Sequence, residues 1–405
     1  MSAGLGIMTE DESNVVEFSR TASREEPRKR LLPSRLLEAR RAQRLNQTEL
    51  ARKVGVTRQS ISAYELGIKT PEPHIMRALS QSLEQPIGFF TRIDLPTFGP
   101  PSANYYRKVG PDTKRRNVAC ATYADWLAQT AYAFDPWVNY PETDIPAFDP
   151  ESPVGHTYSD DEIERAAEEV RKHFELGLGP ISNVVRLLES KGVIACRLKI
   201  PDERIDAFSF WRGERPFVFL TSEKESAARS RFDAAHELGH LCLHRWVGAE
   251  DIEDAKVLKI VEREADRFAG AFLLPRKSFP NEVYSPRLMA FVDLKCRWKV
   301  SIQAMVYRCR DLGVFDEQQT VNLYKQISRK KWRTQEPLDG EDGLPFEDPL
   351  LLSRVAKMVL DANLVTGEEL CQKLGFSPSW IGRLTGLKQN EYLTENEISL
   401  QPRLK

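Results

Sequence analysis

Little in this 405-residue chain points to a membrane or to an oxidising compartment. No apolar run approaches the roughly 20 residues needed to cross a bilayer. The N-terminal stretch carries Asp11 and Glu12 and has no apolar core, so it does not read as a secretory signal. Cysteine is sparse. The six residues at 120, 196, 242, 296, 309 and 371 include no CxxC pair, which excludes a disulfide framework and reads as reduced thiols of a cytoplasmic protein. Cys242 is expected as a small buried side chain. The net charge of −1 shows no global excess of either sign. The length allows two to four domains. Histidine is scarce too, at six residues. His74, His156 and His173 are isolated and carry no assigned role, whereas His236, His240 and His244 stand four apart.

His236-Glu237-Leu238-Gly239-His240 places two imidazoles at i and i+4. On a helix they share a face one turn apart, so both reach one ion, with Glu237 between them as a general base. Ala234, Ala235, Leu238, Leu241 and Leu243, with no proline from Ser230 to Trp246, predict that helix. Gly239 is unfavourable in a helix interior by roughly 1 kcal/mol against Ala. A glycine there points to close packing or to room for a ligand. His244 extends the series, but three turns spread ligands over about 11 Å, too far for one ion. It is therefore expected behind the ligands or in a structural role.

Residues 262–269 read as a second amphipathic helix. Ala265, Phe268, Ala269, Phe272 and Leu273 form its buried face, and Pro275 ends it. A carboxylate on this helix completes a two-His, one-Glu site with one position left for water. Glu262 and Asp266 share a face. Glu262 is the favoured ligand, and Asp266 is expected to hold a histidine N–H from behind. Glu264, the alternative, points elsewhere and is expected in solvent or in a surface ion pair. The donor set suits Zn and is compatible with Mn.

These segments resemble the ImmA/IrrE family of metallopeptidases. The likeness rests on Arg229 to His240, on Glu262 to Pro275 and on Trp298 to Arg308, within roughly residues 160 to 335. It implies a zincin-like fold and a metalloendopeptidase that cleaves a protein target, often a transcriptional repressor. Carried over by position, His236, His240 and Glu262 are ligands and Glu237 is the base. One departure is Thr221 at the end of the strand before the helix, where the family commonly has asparagine.

A second pattern occupies residues 33 to 90. Leu36, Leu37 and Ala39 through Leu45 predict one helix, Gln47 to Val54 a second, and Gly55 the turn. Thr57 caps a third, Arg58 to Leu66, with Ile61 and Tyr64 inside. This is a helix-turn-helix layout, similar to the XRE/Cro-type repressor family from Leu36 to about Phe90. That resemblance implies that Gln47, Arg58 and Gln59 face bases and that Ser60 contacts phosphate. From Arg28 to Lys69 there are eleven Lys/Arg against Glu38, Glu49 and Glu65, so the segment calls for a polyanion, double-stranded DNA. A helical docking domain is the alternative.

The expected fold is multidomain. Residues 1–30 form a flexible tail in which Arg28, Lys29 and Arg30 touch DNA phosphates, and 31–92 an all-α helix-turn-helix domain. Residues 93–155 form a linker with one long helix, 156–335 an α+β zincin-like peptidase domain, and 336–405 a small helical C-terminal region. In the peptidase domain, short strands are predicted at 193–198, 207–211 and 216–220, with a hairpin at Gly213. Residues 338–349 read as an acidic loop. Thr366 to Ser377 resembles a helix-turn-helix layout without the basic excess, and is expected to pack or to bind protein. No strong internal repeat is evident. The expected function is a DNA-binding regulator fused to a metal-dependent endopeptidase, compatible with a homodimer. The alternatives are a transcription factor whose metal domain only senses or folds, and a toxin–antitoxin component.

Overall fold

The computed structural model describes residues 30–91, 113–151, 157–198, 206–221, 226–248, 251, 254–340 and 343–393. The expected tail, Arg30 apart, and the linker up to residue 112 lie outside the described residues, as does His156.

The described residues open on five helices: α1 (Pro33–Ala42), α2 (Gln47–Val54), α3 (Arg58–Glu65), α4 (Pro73–Ser82) and α5 (Ile87–Thr91). Pro33 and Pro73 start α1 and α4, where a missing N–H leaves nothing unsatisfied. Asn46 and Glu49 form a capping box: Glu49 N–H donates to Asn46 Oδ1 at 2.8 Å, and Asn46 N–H to Glu49 Oε2 at 2.6 Å. Gly55 turns the chain in the left-handed region, φ 77°. Thr57 Oγ1 then accepts from Ser60 N–H at 3.1 Å and caps α3.

Next come α6 (Thr113–Tyr132), α7 (Asp160–His173), α8 (Val184–Ser190) and the strands β1 (Ile194–Leu198), β2 (Ala207–Arg212) and β3 (Arg215–Thr221). The sheet order is β1-β3-β2, with β1 parallel and β2 antiparallel to β3. Gly213, φ 57°, makes the tight β2–β3 turn. Period-2 alternation divides the sheet. Phe208, Phe210, Phe217 and Phe219 line one face, with Phe208–Phe219 at 4.7 Å and Phe210–Phe217 at 5.0 Å. Ala195, Ala207, Val218 and Leu220 line the other. Against that second face lies α9 (Ala227–Leu243), and α10 (Ala255–Leu273) packs in turn on α9. Helices α11 (Phe279–Glu282), α12 (Ala290–Trp298), α13 (Ile302–Asp311) and α14 (Glu317–Arg329) complete this core.

The last α-helices among the described residues are α15 (Leu351–Asp361), α16 (Gly367–Leu374) and α17 (Pro378–Thr385). They share one core with α6, the N-terminal helices and the phenylalanine face of the sheet. Helix α6, expected within a linker, is therefore a central core element. Its indole Trp126 meets Phe89 at 5.7 Å, Phe376 at 5.2 Å and Trp380 at 4.7 Å. The described residues of the acidic loop are half-buried or exposed, and hydrogen bonds and ion pairs tie the loop to the core beside it. Glu347 accepts from Val184 N–H at 2.6 Å and pairs with Arg231, while buried Lys295 pairs with Glu336 at 2.9 Å and Asp339 at 2.8 Å.

Although the sequence shows no strong repeat, α16–α17 repeat the skeleton of α2–α3 without a gap. Asn46 matches Thr366, Glu49 matches Glu369, Gly55 matches Gly375, Thr57 matches Ser377 and Ile61 matches Ile381. Both first helices open on a capping box, both turns are left-handed glycines, and both second helices have eight residues. The register runs back through buried Arg35, Leu36 and Ala39 to buried Val355, Ala356 and Val359. Side chains diverge most where the second helix starts, which hides the repeat in the sequence.

Candidate metal centre and nucleic-acid interface

Helices α9 and α10 pack closely at Gly239. A Cβ there would lie 3.1 Å from Phe268 Cδ1 and 3.2 Å from Ala265 Cα. Close packing is thus the reason for the glycine, and it lets Glu262 approach the histidines. His236 Nε2 lies 3.7 Å from Glu262 Oε2 and His240 Nε2 3.4 Å from Glu262 Oε1. The two Nε2 atoms are 3.1 Å apart. Two donors 2.0–2.1 Å from one tetrahedral ion stand about 3.3 Å apart, so these separations fit a Zn-sized ion. Among the described residues, this is the His/Cys/Asp/Glu cluster with metal-ligand spacing.

The far sides of both rings are held. His236 Nδ1 lies 2.8 Å from Asp266 Oδ1, as the shared face of Glu262 and Asp266 predicts. His240 Nδ1 lies 2.9 Å from His244 Nδ1. His244 follows the last residue of α9 as its C-cap, and its Nε2 lies 3.0 Å from Glu264 Oε2. Here the expectation for Glu264 fails: it is fully buried, not in solvent or a surface pair. Helix α10 packs against both α9 and α7, so the side turned away from Glu262 is interior too.

Electrostatics follow burial. Burial pulls the His236 imidazole down, but the Asp266 hydrogen bond and the charges of Glu262, Asp266 and Glu237 outweigh it and raise it to about 9. Burial pushes Glu237 up to about 8 against the opposing effects of His236 and of Ser209, with Glu262 and Asp233 adding to the rise. A cation at the three donors acts the other way on Glu237. Burial lowers His244 to about 4, despite the Glu264 hydrogen bond. Ser209 comes from β2, which packs on α9. Sequence reasoning missed Ser209 because neighbours across a sheet–helix contact leave no spacing signal.

At the other end, Arg58 and Gln59 are exposed at the start of α3, and Ser60 is half-buried with its Oγ 3.0 Å from Thr57 Oγ1. Gln47 is placed differently: its Nε2 donates to Glu65 Oε2 at 2.9 Å. Glu65 also takes Arg40 Nε at 2.5 Å, so this cluster sets the angle between α2 and α3. Glu38 pairs with Arg35 and Glu49 with Arg115. All three acids of the basic segment thus have internal partners, while Arg41, Arg52, Lys53, Arg58 and Lys69 are exposed. Cys242 is buried as expected, and no described helix is long and apolar enough to cross a membrane.

Comparison with known families agrees with both ends. Residues 36–90 match the helix-turn-helix family model. Residues 188–310, from the end of α8 into α13, match the M78 peptidase model described as the IrrE N-terminal-like domain. No curated protein matches the chain. The chain therefore joins an N-terminal DNA-binding helix-turn-helix domain to an IrrE-like domain of the M78 peptidase family.

Proposed function

We propose that this protein is a DNA-binding regulator whose second domain is an active metal-dependent endopeptidase, acting in the cytoplasm on a protein target, with a transcriptional repressor as the preferred substrate class. The observation that carries the reading is the convergence of His236, His240 and Glu262 with buried Glu237 between the two histidines. A purely structural site has no use for that carboxylate.

His236 Nε2, His240 Nε2 and a Glu262 oxygen would hold the ion, Zn by preference. When bound, the ion supplies Lewis-acid polarisation of a carbonyl and acidifies water, to a pKa of about 7. Glu237 takes the proton from the attacking water as its oxygen bonds to the scissile carbonyl carbon. Glu237 then passes that proton to the amide nitrogen as the C–N bond breaks. Ser209 beside Glu237 favours the ionised form of its carboxylate. Asp266 keeps His236 in the tautomer that frees Nε2. Arg58 and Gln59 read base edges, and Ser60 contacts phosphate.

The test is incubation of the full chain with candidate target proteins and DNA, with products read by mass spectrometry. Glu237→Gln is expected to retain metal, fold and DNA binding while cleaving more slowly by about 100- to 10,000-fold. A substituted protein that cleaves like wild type contradicts the proposed base. Metal retention with no cleavage of any target by the wild type favours a sensor.

A further inference from the structure

We propose that His244 and Glu264 are positioning residues: through a buried chain of hydrogen bonds they fix the tautomer and ring orientation of His240, and so raise its affinity for a divalent ion. The inference rests on the metal-centre reading above.

Donor counting makes the chain run one way. His240 turns Nε2 toward His236 Nε2, 3.1 Å away, and toward Glu262 Oε1, 3.4 Å away. As a neutral ligand through Nε2, it carries its proton on Nδ1. That N–H faces His244 Nδ1 at 2.9 Å, which must accept. The His244 proton then sits on Nε2 and donates to Glu264 Oε2 at 3.0 Å. Glu264 Oε1 accepts a further hydrogen bond from Tyr158 N–H at 3.0 Å. Moving the His244 proton to Nδ1 would set two N–H groups face to face.

The surroundings hold this chain inside the core. The side chains of His244 and Glu264 have no exposure. His244 N–H donates to His240 O at 3.1 Å, which ties the capping residue to the ligand's own backbone. Tyr158 OH donates to Leu243 O at 2.8 Å and holds the end of α9 in place. A carboxylate behind a ligating imidazole makes that imidazole a better donor. His236 has such a carboxylate directly, in half-exposed Asp266. His240 reaches its own through a second imidazole, inside the core.

The experiment measures Zn2+ affinity of the metal-stripped full chain by competition with a chromophoric chelator. DNA affinity and thermal unfolding of the apo-protein report folding. His244→Phe is expected to bind Zn2+ about 10- to 100-fold more weakly than wild type. His244→Asn, whose Oδ1 takes the place of Nδ1 as acceptor, recovers most of that loss. Glu264→Gln keeps the size but removes the charge, and falls between wild type and His244→Phe. If His244→Phe does not fold, the order wild type, His244→Asn, Glu264→Gln still decides. Wild-type affinity in every folded variant, or no recovery in His244→Asn, overturns the proposal. A wild-type chain that fails to bind Zn2+ overturns the metal-centre reading itself.

Discussion

Helices α2–α3 and α16–α17 have the same skeleton: a capping box, a left-handed glycine and an eight-residue second helix. Their fates differ at the start of that second helix. In the N-terminal unit Thr57, Arg58 and Gln59 are exposed. At the matching places the C-terminal unit has half-buried Ser377, Pro378 and Ser379, flanked by buried Phe376 and Trp380. Trp380 stacks edge-on with Trp126 of α6, and α17 also packs on β1. A helix pair is thus a scaffold, and a few side chains decide whether its second helix meets a polyanion or a hydrophobic core.

That comparison breaks most readily at Trp380. Trp380→Ala should cost about 3–5 kcal/mol in chemical denaturation of the full chain. Ser60→Ala, at the matching N-terminal position, should change stability by no more than about 0.5 kcal/mol. Similar losses at both sites would mean that the two units are used alike. A smaller effect concerns DNA. Once a preferred duplex has been selected from random sequences, Arg58→Ala should weaken binding by about 1–3 kcal/mol and relax specificity. Pro378→Ala should leave affinity unchanged in the same titration, and a matching loss there would make α17 a DNA reader. The smallest effect sharpens what the units share. Gly55→Ala and Gly375→Ala force a Cβ into left-handed backbone, and each should cost about 1–2 kcal/mol of stability. A cost at one glycine only would show that the repeat is not energetic.

Much of this was legible in the sequence because it is local. Spacing of four placed His236 and His240 on one face and Glu262 and Asp266 on another, and caps placed α2 and α3. What failed was long-range. The burial of Glu264 is not legible, because nothing in its sequence neighbourhood announces that α7 covers that side of α10. The core position of α6 is not legible either, because its partners, Phe89 and Trp380, lie far from it in sequence. Ser209 lacked any signal for the same reason. The repeat stayed hidden because burying the second helix replaced Arg58, Gln59 and Ser60 with Pro378, Ser379 and Trp380, leaving mainly capping and turn residues in common.

The central claim is that α9 and α10 together form a metal centre with Glu262 as the third ligand. The most direct measurement is metal content of the purified full chain and its variants after equilibration with saturating Zn2+. The account predicts one ion in wild type and in Glu264→Gln, and none in His236→Ala or Glu262→Gln. A full Glu262→Gln protein beside an empty Glu264→Gln protein would contradict it.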